Sequence, residues 1–206
     1  MTDDSCPCRG GTDTTNTAGD RLLTESPVLE STLPHDLQSA LGRFVGGEPI
    51  TTLGEWASEV RQRTGGDAIA LEDLCHVDEP TGHWGDLEGE RYHFACFYDA
   101  VILAALSENA VDVRTESPDG HAIEARATED ELTVTPPEAV FSFGIDDGVE
   151  PATDGSVLED GYAAICPYVR AFPNAEAYER WAESVQAPTV AMPLEGATQL
   201  AAELVR

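Results

Sequence analysis

Lysine is absent from this 206-residue chain, so all 11 of its Lys and Arg residues are arginine, against 39 Asp and Glu and a formal net charge of −28. A chain so poor in positive charge lacks the basic patches that phosphate backbones require, and a nucleic acid is excluded as an expected partner. Long apolar runs are missing too. No stretch approaches the ~20 residues that cross a bilayer, and the amino terminus is polar and acidic, unlike a signal peptide. No membrane partner and a cytoplasmic location are therefore expected. Cysteine is scarce: Cys6, Cys8, Cys75, Cys96 and Cys166 are odd in number and irregular in spacing. That pattern argues against a disulfide framework and against the paired C-x-x-C units of structural zinc. His35, His76, His83, His93 and His121 form no spaced cluster, and none is assigned to a site.

What is present points to a folded chain. A hydrophobic content of 41% and three tryptophans are too much for a disordered acidic protein. The acids are dispersed, as on a solvated face. An acidic, lysine-free surface resembles those of proteins from salt-loving cytoplasms, so a halophilic protein is expected. The length allows one large domain or two small ones.

Residues 1–30 are rich in Thr, Asp, Gly and Ser and read as a disordered acidic tail. Within it, Cys6 and Cys8 flank Pro7, either as a soft-metal pair or as two exposed thiols without a role. From Pro34 the apolar spacing turns helical through Leu37, Ala40, Leu41 and Phe44, ending at Gly46 and Gly47. Thr51 or Thr52 caps a second helix through Leu53, Trp56, Ala57 and Val60, closing at Gly65 and Gly66. A third short helix is expected from Ala70 to Val77, carrying Cys75 as a buried small hydrophobe. With the glycine-rich hairpin from His83 to Gly89, these helices resemble a winged-helix unit over residues 31–90, here a scaffold because the basic recognition face is lacking.

The longest apolar run, Tyr92 to Leu106, carries Cys96 and Asp99 three residues apart. In a helix such a pair shares one face. Four period-two segments follow, at residues 110–115, 122–128, 131–135 and 139–143, and predict one antiparallel sheet. A further apolar strand is expected over residues 162–169, containing Cys166. Asn174 caps a helix through Tyr178 and Trp181, residues 188–192 form a short strand, and residues 196–206 a last helix. The expected fold is α+β: an N-terminal winged-helix-like three-helix unit, then an antiparallel β-meander packed with helices, the second domain spanning 91–206.

This order of parts resembles the organomercurial (alkylmercury) lyase family over roughly residues 33–206. The marks are Cys96-Phe-Tyr-Asp99 on an apolar helix, the meander, Ile165-Cys166-Pro-Tyr-Val, and the Asn174 helix reaching Trp181. The resemblance implies that Cys96, Asp99 and Cys166 are catalytic and that Cys96 and Cys166 hold mercury, with Asp99 nearby. It implies cleavage of a carbon–mercury bond to a hydrocarbon and Hg(II), with no intrinsic cofactor and with external thiols as co-substrate. The implied partners are a small organomercurial and a mercuric reductase or thiol carrier that receives Hg(II). The chain departs from the family in lacking a second cysteine beside Cys166, having Ile165 and Pro167 there, and in carrying Tyr168 and Arg170 where relatives have histidines.

The residues suit that chemistry. Mercury(II) is soft, and two thiolates from separate elements suit it. A free thiol titrates near about 8.5, so a proton acceptor is needed at neutral pH. Burial of Asp99 against Phe94, Phe97 and Ile102 is expected to raise its pKa and make it a proton shuttle. Tyr98, Tyr168 and Arg170 are further candidates for lining the pocket. A second reading is a non-catalytic Hg(II) or Cu(I) binder or sensor on the same fold, which would need no proton donor. A winged-helix regulator is disfavoured by the acidic surface.

Overall fold

The computed structural model describes residues 21–24, 27–63, 69–107, 109–128, 132–148, 150 and 157–205, with the side chains of residues 157–159 and 162 outside that description. Cys6, Cys8 and the glycine pair expected to close the second helix lie outside the described residues. The fold is α+β, as expected. Helix α1 spans His35–Phe44, and Gly46 takes a positive φ of 66° at its end. Helix α2 spans Leu53–Arg63. Thr52 is its cap: Oγ1 accepts from the Glu55 N–H at 3.1 Å, and the Glu55 carboxylate accepts from the Thr51 N–H at 2.7 Å.

The expected third helix is a single 3₁₀ turn, Leu71–Asp73. The Asp73 carboxylate accepts from the Ala70 N–H at 2.9 Å and closes that turn. Leu74 is then extended, and the chain pairs with the central segment: the Ala95 N–H donates to the Cys75 carbonyl and the Val77 N–H to the His93 carbonyl. Cys75 therefore lies on an extended segment, not on a helix.

Strands β1 (Trp84–Leu87) and β2 (Glu90–His93) form the expected hairpin, turning at Glu88 (φ 54°) and Gly89 (φ 89°). The hairpin belongs to the same sheet as β3 (Val111–Glu116), β4 (Ala122–Ala127) and β5 (Leu132–Thr135), in the antiparallel order β2-β1-β3-β4-β5. A boundary after residue 90 would fall inside β2, one residue past its start, and sever the hairpin. One hydrophobic core also runs from Leu23 to Leu204 without a break at that point.

The fourth expected strand of the meander leaves this sheet. β6 (Val140–Gly144) is the centre of a second sheet, between β7 (Ala171–Phe172) and β8 (Thr189–Pro193). All five of its residues are buried. A meander with one solvated face cannot cover such a strand on both sides, whereas a central strand under helices can. Pro136 and Pro137 lack amide donors and end the first ladder.

Helix α3 (Tyr98–Leu106) is buried from Tyr98 through Ala104, as befits a helix apolar all round. It packs on β1, β3 and the last helix, α6 (Glu195–Val205), while Phe97 and Tyr98 meet Phe141 of β6 at ring separations of 6.2 Å. The segment 162–169 is not a strand. It is the end of α4 (Val157–Ile165) followed by a 3₁₀ turn, Cys166–Tyr168. Ala163 and Ala164 favour helix, and Pro167 cannot donate to a ladder. Helix α5 (Ala175–Ala182) is capped as expected, Asn174 Oδ1 accepting from the Ala177 N–H at 2.9 Å.

The expected tail is shorter than 30 residues. Leu22 bridges Ala191, the Leu23 N–H donates to the Ala191 carbonyl at 2.7 Å, and Leu23 and Val28 are buried. These apolar side chains cover the edge of the second sheet and the face of α6. Among the described residues no helix is long and apolar enough to cross a membrane.

The contact between β6 and β8 offers a direct test. A Cβ on Gly144 would sit 2.6 Å from Thr189 Cγ2 and 2.7 Å from the Pro188 carbonyl oxygen. Gly144→Ala is expected to cost about 1–3 kcal/mol, the usual range for overpacking. The measurement is the urea midpoint at unchanged slope.

Candidate active site

The site begins where a ladder becomes a helix. Pairing continues past β2: Phe94 bridges His76 and donates its N–H to the His83 carbonyl at 3.0 Å, and Ala95 pairs with Cys75 at 3.1 Å. The chain then turns, with Phe97 already in the αR region, and α3 starts at Tyr98. Cys96 thus precedes the helix, and Asp99 lies in its first turn. The expected placement of both on one helical face is corrected to a strand–helix junction. The pair still meets: Cys96 Sγ is 3.6 Å from Asp99 Oδ2.

Cys166 arrives from the other side. It opens the 3₁₀ turn after α4, and β6 holds that turn through Ser142. The Ser142 hydroxyl donates to the Tyr168 carbonyl at 2.7 Å and accepts from the Arg170 N–H at 3.2 Å, while the Ser142 N–H donates to the Arg170 carbonyl at 2.8 Å. Cys166 Sγ ends 3.9 Å from Cys96 Sγ. That is far beyond a disulfide bond of about 2.05 Å, and both thiols are free. Cys96 has one S–H proton, so it bonds either Asp99 or Cys166 at a given moment.

The surroundings set the protonation states. Asp99 is 2% exposed, and burial raises its carboxyl from 3.8 to about 6. The Cys96 thiol, the Cys75 N–H and the charge of His76 oppose that rise without cancelling it. Cys166 is pushed far above the ordinary thiol range, first by its hydrogen bond with Cys96, then by burial and by the charges of Cys96, Asp99 and Cys75. Cys166 therefore stays a thiol until something replaces its proton. The three side chains border a cavity of about 750 Å³ including its open mouth. Its other walls are largely apolar, among them Phe44, Trp56, Ile102, Phe141 and Phe143. The N-terminal helices supply part of this wall, because Trp56 packs between Phe44 (5.7 Å) and Phe143 (6.2 Å).

Of the further candidates, Tyr98 borders the cavity and donates its hydroxyl to the Ala197 carbonyl at 3.2 Å. Tyr168 and Arg170 do not border it. They line a separate surface groove with His83 and Trp181. Two neighbours of Asp99 escaped sequence reasoning. Cys75 is half-buried, its backbone amide helps hold the Asp99 carboxyl down, and burial with the charges of Asp99 and Cys96 pushes its thiol up to about 11. His76 lies against Phe94 at 5.2 Å with Nε2 2.8 Å from the Leu71 carbonyl oxygen. Only the cross-strand pairing of residues 75–77 with 93–95 reveals them. Ser142, too, looked like an ordinary strand residue.

Two free thiols and one buried carboxyl that titrates near neutral pH, facing an apolar cavity, can ligate a soft metal and move a proton beside it. The alkylmercury lyase (MerB) family model matches residues 77–206, and the chain belongs to that family. Among solved structures, the mercury-bound form of MerB2 is similar in fold, with a TM-score of 0.47 and 19% identity over 84% of this chain and 91% of that one. No curated protein matches the chain.

The raised Asp99 carboxyl has a consequence for stability. Its folded-state pKa of about 6 lies above the ordinary 3.8, so the folded state binds the proton more tightly. The contribution is complete below about pH 4 and is lost as pH rises through about 6, at most roughly 3 kcal/mol. Asp99→Asn cannot ionise. It is expected to match the wild type near pH 4 and to exceed it at pH 8 in urea denaturation.

Proposed function

We propose that this protein cleaves carbon–mercury bonds by protonolysis, with Cys96 and Cys166 binding mercury and Asp99 carrying the proton. The observation that carries this reading is the convergence of two sulfurs 3.9 Å apart on a carboxyl 3.6 Å from one of them, all beside an apolar cavity. The organic group would lodge among the aromatic walls, where an apolar substituent leaves no polar group unpaired. An organomercurial arrives as its adduct with an external thiol. One protein thiol displaces that carrier, which departs with one proton. The second thiol gives its proton to Asp99 as its sulfur bonds mercury. Two sulfur ligands then push electron density onto the carbon, and Asp99 delivers the proton to it. The hydrocarbon leaves, and Hg(II) stays between two thiolates as product.

Asp99 is suited to both halves of this task. Titrating at about 6, it is a carboxylate able to accept a thiol proton near neutral pH. It is also close enough to that pH to give the proton back. The ion then passes to external thiols and onward to a thiol carrier or a reductase.

Methylmercury with excess thiol is the test, read as headspace methane and protein-bound Hg(II). Cys96→Ala, Cys166→Ala and Asp99→Asn are each expected to reduce methane to background, and unchanged activity in any of them would sink the assignment. Mercury binding by the wild type without methane would mark a soft-metal trap instead. In the wild type, kcat/KM is expected to fall below about pH 6, as Asp99 becomes protonated before it can accept a thiol proton.

A further inference from the structure

A groove adjoins the turn that carries Cys166. Cys166 and Val169 border the apolar cavity, whereas Pro167, Tyr168 and Arg170 line the groove, so one short segment serves both. The rest of the groove comes from the first sheet and α5, with His83, Glu116 and Trp181. It encloses about 840 Å³ including its open mouth, room for a small molecule. Arg170 is its distinctive member. In a chain of net charge −28, most of the described arginines lie beside a carboxylate, but among the described residues none pairs with Arg170. Its Nε donates to the Pro167 carbonyl at 3.0 Å, and its backbone is bonded to Ser142. Covalent geometry then keeps Nε within roughly 10 Å of the Cys166 Cα. Glu116, the carboxylate of the groove, already pairs with Arg114 at 3.5 Å. His83 adds no second cation: burial and the Arg170 charge lower its pKa against the pull of Glu116, and Nδ1 meets Thr115 Oγ1 at 2.7 Å.

Resting on the lyase reading above, we propose that this groove holds the external thiol and selects carriers that bear a carboxylate. The carboxylate pairs with Arg170, the methylene chain lies along Tyr168 and Trp181, and the sulfur reaches past the turn to mercury at Cys166. A guanidinium without a protein partner suits a carboxylate, which it can bind through two donors. The Trp181 ring is fixed against Phe172 at 5.2 Å and offers the chain a firm apolar wall. A carrier with its sulfur a few carbons from its carboxylate spans the distance from Arg170 to Cys166. Cys166 is half-buried where Cys96 is 4% exposed, so exchange begins at Cys166. On delivery the Cys166 sulfur bonds mercury, the carrier sulfur–mercury bond breaks, and the carrier sulfur takes the Cys166 proton. On release a carrier thiol runs the same exchange in reverse and returns a proton to Cys166. The number of sulfur–mercury bonds and the oxidation state stay the same.

The test has a kinetic arm and a binding arm. Methylmercury is supplied as its adduct with 3-mercaptopropionate or with 2-mercaptoethanol, and the ratio of the two kcat/KM values is read from methane release. Comparison between variants cancels the intrinsic difference between the thiols. Arg170→Gln is expected to lower the ratio about fivefold, the upper end for a partly exposed ion pair. Arg170→Lys loses the Nε bond to Pro167 but keeps the charge, and is expected to retain most of the preference. The same ratio in wild type and Arg170→Gln would overturn the proposal, and so would equal losses in the Gln and Lys variants, which would mark a structural role. The binding arm uses mercury-free wild type and 3-(methylthio)propionate, whose sulfur carries no proton to exchange. A saturable shift of the Trp181 indole N–H resonance is expected, with none from the matching amide, and no difference between the two probes would overturn the assignment. Absence of methane from the wild type with both carriers would remove the lyase reading, while the binding arm still decides whether the groove takes a carboxylate.

Discussion

The burial of Asp99 at the junction between a β-ladder and a helix is the constraint on which the rest of the site depends. A carboxyl in the first turn of a helix ordinarily enjoys the positive end of the helix dipole and ionises easily. Here burial outweighs that help and the hydrogen bonds from Cys96 and Cys75, and holds the group near neutral pH. The cost of hiding a carboxylate is limited by those donors, since a buried polar group without partners would be expensive. The ladder from His76 to Phe94 supplies the Cys75 amide at the right height. Slippage by one residue would turn that amide away and leave the carboxyl with fewer donors.

The two sheets divide the labour. The five-stranded sheet and its β2 extension position Cys96 and Asp99. The three-stranded sheet positions Cys166 through Ser142, a fully buried hydroxyl. The gap between the sulfurs is therefore set by how α3 packs against β6, where Phe97, Tyr98 and Phe141 form a cluster of rings. The N-terminal helices close the cavity over both. Removing them would open the triad to water, so the scaffold segment and the chemistry belong to one core.

Net charge plays a different role. Several of the arginines sit in exposed pairs, such as Arg43 with Asp147 at 2.6 Å and Arg126 with Asp112 at 2.6 Å. Exposed pairs of this kind contribute about 0–1 kcal/mol each and are weakened by salt. The excess of carboxylates acts on solubility and self-repulsion, while the fold is held by the continuous apolar core. Arg91 pairs with Asp86 at 3.4 Å and also lies 3.9 Å above the Trp84 ring across the β1–β2 hairpin.

Local pattern was enough to read α1, α2, α5, α6 and most strands, because caps and apolar spacing are short-range signals. Thr52 and Asn174 cap as expected, and the resemblance carried by Cys96, Asp99 and Cys166 made mercury chemistry an expectation. Segments whose local preference was weak were misread. Residues 70–77 lost a helix to cross-strand pairing, residues 162–169 became a helix end and a 3₁₀ turn, and β6 joined a sheet of its own. Chemistry-bearing residue types and their spacing were thus the sequence's to decide, since they need no long-range contact. Which of them meet was decided only in three dimensions. The 3.9 Å sulfur gap and the burial that raises the Asp99 carboxyl to about 6 both come from elements distant in the chain. Burial and register exist only once those elements pack.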